Sequence, residues 1–471
     1  MTDSRSRVGD LAIVLHSHMP YVEGFGTYPF GEEWLFDAVI RSYIPVCEVA
    51  DRLTLSVTPV LADQLEAAGV AGRLEQFLRR FRIESCEADA AEAEPPYRPA
   101  CDAEAQRYRD ALERIRALDG DLTALFTGPN REGRVELIAS SATHAVLPLV
   151  ATHACRRLQL DAGLRSHGRR FGPSAGFWLP ECGYEPGLER LLAERGLGYF
   201  CSDQSAHEPP LAALAPVATA AGPVAFTVDW EAVSWLWALE GYPADPVHAE
   251  FHRKSPRGAR PWAIGGGPYD PEAGATRARQ QAAEFARASA ARLERFAAAR
   301  GRPGLIVFAI DTELLGHWWW EGPEWLAEVL RVAPEHGIEP LTLGEARERH
   351  PAESRPLHRS SWGEHKDLST WDSPEVADLA WAARRLELRL LRALGSSVAS
   401  TALTRAAREL LAVQASDWAF LDRRRQAGDY AWERSTGHAR WLLEAIHSAA
   451  EPDPRLRNLA PDLSLTPLLE P

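Results

Sequence analysis

The chain has 471 residues, enough to bury a large core and too many for one small domain, so one big catalytic domain plus an appendage is expected. Its 52 basic and 66 acidic residues leave a formal charge of -14; with no excess of phosphate-neutralising charge, a nucleic-acid partner is excluded and a neutral substrate fits. The apolar stretch at 11–15 is too short for a signal-peptide core or a membrane span, so a cytoplasmic protein with no membrane partner is expected.

In chain order, short apolar runs alternate with helical patterns, which reads as an α/β fold with a mainly parallel sheet. Strands are expected at 11–15, 53–57, 135–139, 175–179, 198–201, 305–310 and 339–343, enough for a barrel. Between the second and third lies an insert, 62–130, whose helical segments are broken by EAEPPYRPA; it is too long for a simple connection and predicts a helical subdomain over the barrel mouth. An Ala- and Arg-rich helix is expected from about 271 to 299. The run 305–310 is apolar at every position, as in a strand buried on both faces. After His350 a loop-like stretch leads to 375–448, where apolar residues recur at helical spacing. The reading is thus a catalytic barrel over 1–350, including the insert, and a C-terminal helical domain over 351–471; the Pro-rich tail from Pro452 has no assigned role.

Cysteines at 47, 86, 101, 155, 182 and 201 form no CxxC pair, so neither a zinc site nor a disulfide framework is indicated, and Cys182 reads as a packed thiol. The 16 tryptophans gather after Phe177. Aromatic faces stack on sugar rings, which suggests carbohydrate; bulk packing of a large core explains them equally well.

The expected strands end in polar residues: His16 and His18 after the first, Glu136 within and His144 after the third, Glu181 after the fourth, and Asp311 and Glu313 after the sixth. In parallel barrels the site lies at the C-terminal strand ends, so these groups should converge. Two carboxyls on facing strand ends are what glycosidic cleavage needs, one to attack the anomeric carbon and one to protonate the leaving oxygen, about 5–5.5 Å apart for retention. Glu181 follows Trp178-Leu179-Pro180, where proline fixes the backbone and the tryptophan walls the site. Metal binding is the rival for His16, His18, His144 and His317, since imidazoles serve metals as well as sugar hydroxyls.

The motifs HSHMPYV (16–22), GRVELIASSATHAVLPL (133–149), GFWLPECGYEPGLE (176–189), FAIDTELLGHWWWEGPEWL (308–326), WGEHKDLSTW (362–371) and ASDWAF (415–420) occur in this order. On them the sequence resembles glycoside hydrolase family 57, and within it the 1,4-α-glucan branching enzymes. The resemblance implies a distorted (β/α)7 TIM-like barrel with a helical C-terminal domain completing the glucan cleft, Glu181 as nucleophile and Asp311 as general acid/base. It implies transfer of an α-1,4-glucan segment (amylose, glycogen-like polysaccharide) to a 6-hydroxyl, with no metal or organic cofactor. Trp362 and Trp371 match the family's aromatic clamp and Asp417, followed by Trp418, a sugar-binding acid. His16, His18, Glu136, His144 and His317 are carried over as site-lining residues, and Arg253 and Trp262 fall in a less securely matching region.

One departure concerns a family loop after the fifth strand that bears a tyrosine favouring transfer over hydrolysis. The corresponding stretch, SDQSAHEPPLAALAPVATAAGPVAF (202–226), is short and lacks tyrosine. An α-1,4-glucan hydrolase of the α-amylase type is therefore the alternative. A glucan-binding module without catalysis, or a metal-dependent deacetylase-like enzyme, fits the residues less well.

Overall fold

The computed structural model describes residues 7–447 and 458–470. The polar start and the first residues of the Pro-rich tail lie outside them. Nine strands form one sheet: β1 (Gly9–Ser17), β2 (Leu53–Val57), β3 (Val135–Ser140), β4 (Gly176–Trp178), β5 (Tyr199–Ser202), β6 (Val217–Ala218), β7 (Val224–Thr227), β8 (Gly304–Asp311) and β9 (Ile338–Pro340). Seven of them run parallel in the order β7-β5-β4-β3-β2-β1-β8. The sheet curls until the backbone N–H of Asp229, just past β7, donates to Val307 O of β8 at 2.9 Å. That single bond joins the two edges, so the architecture is a distorted (β/α)7 barrel, incompletely closed.

Every residue of β1 is buried, and β8 is buried up to Asp311 at its end, because helices cover the outside while the curled sheet covers the inside. The long helix Pro271–Arg300 starts on an Asp270 side-chain cap and ends at left-handed Gly301, matching its expected extent. The seventh barrel strand is not the expected one. Residues 202–226, read as a shortened loop, contain β6 and all but the last residue of the barrel strand β7, which escape pattern recognition because they are two and four residues long. The expected strand at 339–343 shrinks to β9, which pairs with β1 only at Gly9–Leu11, on the edge that β2 occupies from Val14 onward. It stops there because Thr342 and Glu345 form a capping box that starts the helix Leu343–Arg349.

The insert contributes helices Val70–Leu78, Glu84–Glu92 and Arg98–Ala117, whose apolar residues Leu74, Phe77, Tyr108 and Leu112 belong to the same core as the strands. Its Arg107 donates to Trp320 O and Arg41 O, both at 2.9 Å, and stacks on the Trp320 ring. Of the last four helices, Ala377–Leu394, Ser400–Val413 and Tyr430–His447 form their own core against Tyr21, Val60 and the helix His153–Phe171, and Ser416–Arg424 joins them through Trp418, which packs with Leu379 and Ala431. Buried Glu387 ties the two parts together by accepting from Ala151 N (3.0 Å), Thr152 N (2.9 Å) and Gln414 Nε2 (3.1 Å). Helix His153–Phe171 also approaches β3 at Gly163, where a Cβ would meet Ser140 O at 2.2 Å. That close approach sets the turn carrying His144.

Candidate active site

The register of the sheet builds the site. His16 on β1 lies opposite Ser56 on β2 and Asp311 on β8, so a histidine and a carboxyl share the same level at the C-terminal strand ends. Glu181 arrives differently. Strand β4 stops at Trp178, and the turn after Pro180 holds Glu181 at φ 60°, ψ 21° and Cys182 at φ 50°. Left-handed backbone costs a residue with a Cβ about 1–3 kcal/mol and persists only where surroundings over-determine it. Here Cys182 N donates to Leu179 O (2.8 Å), Gly183 N to Pro180 O (2.9 Å) and Trp362 N to Glu181 O (2.9 Å). Half of the ten non-glycine residues with positive φ among the described residues, His144, Glu181, Cys182, His365 and Lys366, belong to this turn or to segments joined to it. Such concentration marks a functional site rather than random strain.

The carboxylate of Glu181 is held at both oxygens. Trp362 Nε1 donates to Oε2 and Ser416 Oγ to Oε1, each at 2.8 Å, while His144 Nδ1 stands 3.6 Å from Oε1. Burial nevertheless pushes its pKa up, against the two donors; Asp417 adds to the rise and His18 opposes it. Asp311, the last residue of β8, receives no hydrogen bond on its carboxyl from the described residues. Burial, and then the charges of Glu313 and Glu181, hold its pKa well above the usual carboxylate range. Glu313 accepts from Tyr43 OH and from His18 N (3.1 Å), and burial pushes it up to about 7. Two carboxyls are thus set apart by environment: one has a donor on each oxygen, which favours its anion, while the other has none and is pushed toward its neutral form by burial.

Three imidazoles stack beside them. His18 and His144 have ring centroids 4.0 Å apart, His16 and His144 4.8 Å, and His16 lies on the buried Trp178 ring at 4.6 Å. His18 joins Thr58 Oγ1 (3.1 Å) to Asp417 Oδ1 (2.9 Å); burial works against its protonation, but Asp417 beside it tips the pKa upward. His16 and His144 are held well below the ordinary value, first by burial and then by the His18 charge. The loop bearing Trp362 is anchored by Lys366, whose ammonium pairs with buried Asp203 at 2.9 Å and lies over the Trp230 ring. Among the described residues no group of three or more His, Cys, Asp or Glu is arranged to hold a metal ion, and all six cysteines are buried and free.

Of the residues singled out in the sequence, His16, His18, His144, Trp178, Glu181, Trp362 and Asp417 meet here, with Asp311 coupled to Glu181. Glu136 does not. It is the second residue of β3, at the opposite end of the barrel, where it accepts from Thr54 Oγ1 (2.9 Å), Gly344 N (3.1 Å) and Tyr199 OH. It caps the start of the helix Leu343–Arg349, because its place along the strand, not its charge, decides which barrel end it reaches. His317 packs near Phe251 with burial, then Arg41, pushing it down to about 4. Arg253 stacks on Trp262 at 4.1 Å, and Trp262 lies by Tyr97 of the insert. Trp371 is 4% exposed and packs with Val146 and Leu368 beneath Trp362, and Trp418 is 1% exposed, its indole donating to Ala412 O. Both support the site from behind. Ser416, Ser56, Thr58 and Tyr43 were not foreseen; only Ser416 had a signal, its place beside Asp417 in ASDWAF.

Residues 12–357 match the family described as glycosyl hydrolase family 57. The chain belongs to that family. Residues 380–461 further match the C-terminal region of 1,4-alpha-glucan branching enzymes, the group with which it aligns over most of its length. It is 32% identical to a 1,4-alpha-glucan branching enzyme of Thermococcus kodakarensis over 92% of this chain and 72% of that protein. A crystal structure of a branching enzyme of this family from Pyrococcus horikoshii superposes with a TM-score of 0.92 at 30% identity, covering 98% and 97% of the two chains. The novel alpha-amylase AmyC from Thermotoga maritima is more distant, with a TM-score of 0.82 at 26% identity and 93% coverage of each. The hydrolase alternative is not favoured, because the branching enzymes match over most of the chain. Residues 202–226, where a loop tyrosine was sought, carry the short strand β6 and most of β7 between turns and a 3-10 helix at Pro210–Leu214, and a longer irregular excursion follows β7 at 238–270, where Tyr242 and Tyr269 lie.

Proposed function

We propose that Glu181 and Asp311 carry a retaining double displacement that moves an α-1,4-glucan segment to a glucosyl 6-hydroxyl. The observation that supports this reading most is the contrast between the two carboxyls, one with a donor on each oxygen and one with none. Asp311 enters protonated and gives its proton to the glycosidic oxygen as Glu181 attacks the anomeric carbon, breaking the C–O bond and forming a glycosyl ester. Asp311, now anionic, takes the proton of the acceptor hydroxyl, whose oxygen displaces Glu181. The chemistry uses two carboxyls and calls for no cofactor.

The same proposal divides the chain near residue 350, with the C-terminal helices completing the cleft through Ser416 and Asp417. It takes α-1,4-glucan of the amylose or glycogen type as substrate, and so places the protein in glycogen biosynthesis. Unpaired thiols suit a reducing compartment, which supports a cytoplasmic setting; no helix among the described residues is long and apolar enough to cross a membrane.

The test is incubation with amylose, following iodine absorbance and reducing ends, then debranching with isoamylase. Falling iodine colour with few reducing ends and new chains after debranching is the expected result. Reducing ends rising in step with iodine loss would make the enzyme a hydrolase. E181Q and D311N should each lower the rate by orders of magnitude with the fold intact, and normal turnover in either would overturn the assignment.

A further inference from the structure

A chain of polar contacts crosses the site from β2 to Glu181. Ser56 Oγ lies 3.2 Å from His16 Nδ1; His16 Nε2 lies 2.8 Å from His144 Nε2; His144 Nδ1 lies 2.8 Å from Ser416 Oγ; and Ser416 Oγ lies 2.8 Å from Glu181 Oε1. Its members come from four separate segments, and Ser56, His16, His144 and Ser416 are all buried.

The direction of the chain follows from one end. An ionised carboxylate only accepts, so the Ser416 hydroxyl donates to Oε1 and must itself accept from His144 Nδ1–H. His144 Nε2 is then unprotonated and accepts from His16 Nε2–H, which leaves His16 Nδ1 to accept from Ser56. Two imidazolium rings would set N–H against N–H at 2.8 Å, so the contact between the rings requires exactly one proton between the two Nε2 atoms. The His18–Asp417 pair stacked on His144 supplies the cation of this cluster and discourages a second. Reversing the chain would turn the Ser416 lone pairs toward a carboxylate oxygen at 2.8 Å.

We propose that Ser56, His16, His144 and Ser416 form a one-way hydrogen-bond chain with every donor aimed at Glu181. In it Ser416, contributed by the C-terminal helices, is the positioning residue that sets the ionisation of that carboxylate. Successive aligned bonds in a dry interior reinforce one another, so the last donor is stronger than an isolated hydroxyl. The titratable groups facing Glu181 are His18, Asp417, Asp311 and His144. The C-terminal helices thereby act on the nucleophile directly, beyond shaping a cleft.

The inference rests on Glu181 being the anionic nucleophile, and its test separates the two ideas. S416A keeps the backbone bond from Ser416 N to His144 O (3.2 Å) and removes only the hydroxyl. The acid limb of the kcat/KM profile should then move up by about 1–2 units, the equivalent of one hydrogen bond to a charged group. S416T, which restores the hydroxyl, should bring it back. An acid limb that stays in place in S416A, or a loss that S416T does not recover, would overturn the proposal. Independently of any variant's folding, 15N spectra of the histidine-labelled wild-type protein at neutral pH should show His144 protonated on Nδ1 and His16 on Nε2. A proton on His144 Nε2 would sink the direction of the chain. Full activity in E181Q, by contrast, would sink the nucleophile assignment while leaving those tautomers as observed.

Discussion

Replacing Glu313 by Gln isolates the cost of holding a third carboxyl against the catalytic pair. Glu313 is 6% exposed, accepts from Tyr43 OH and His18 N, and has its pKa raised from 4.5 to about 7, burial being the largest cause. A carboxyl whose folded pKa is raised prefers its proton in the native state. Its contribution to stability is therefore fully present below pH 4.5 and lost as pH rises through about 7. The difference of roughly 2.5 units, at 1.36 kcal/mol each, makes the loss about 3 kcal/mol between those limits. Gln offers the same acceptor oxygen without titrating, so the unfolding free energy of E313Q should gain on the wild type by that order as pH rises from 4.5 to above 7. Urea melts at intervals across this range, read by far-UV dichroism, measure the difference. Curves for the two proteins that stay parallel through pH 7 would refute the reasoning, since they would mean that Glu313 is ionised in the fold at no cost. Because the Glu313 charge also raises Asp311, the basic limb of the activity profile should move down in the variant.

W362F keeps a ring over Trp178 but deletes the donor to Glu181 Oε2; kcat/KM below the acid limb should fall about 10–150-fold, the worth of 1.5–3 kcal/mol, with little change in Tm. An equal loss at every pH would indicate misplacement of the loop instead. W371A empties a buried position beneath that loop and should cost about 3–5 kcal/mol in denaturant melts, with the affinity for short and long glucans affected alike. A stable variant that loses only long-chain affinity would show that Trp371 faces sugar. K366M cuts the tie to Asp203 and should raise KM and lower kcat together through a loosened Trp362; unchanged kinetics would remove Lys366 from the positioning of the site.

Local pattern alone carried the barrel strands β1, β2, β3 and β8, whose apolar runs are long enough to read, the helix 271–300, which has a cap at each end, and the helices within 377–447, whose apolar spacing is regular. Strand ends followed by carboxyls are visible in one dimension, which brought out Glu181, Asp311 and Glu313, and the family resemblance implied the first two as the catalytic pair. Other features depended on closure of the fold. Strand β7 is four residues long and is a strand because β5 and β6 pair with it on either side, and the bond just past it to β8 ends the curl. Glu136 and His16 look alike in sequence, each polar and on a strand. The register sends one to the base of the barrel, where it caps a helix, and the other to the mouth beside Asp311. The donors to Glu181, Trp362 and Ser416, lie 181 and 235 residues away along the chain. No spacing rule reaches so far, because a hydrogen bond is decided by where the folded backbone places two atoms within 3 Å, and only tertiary packing does that.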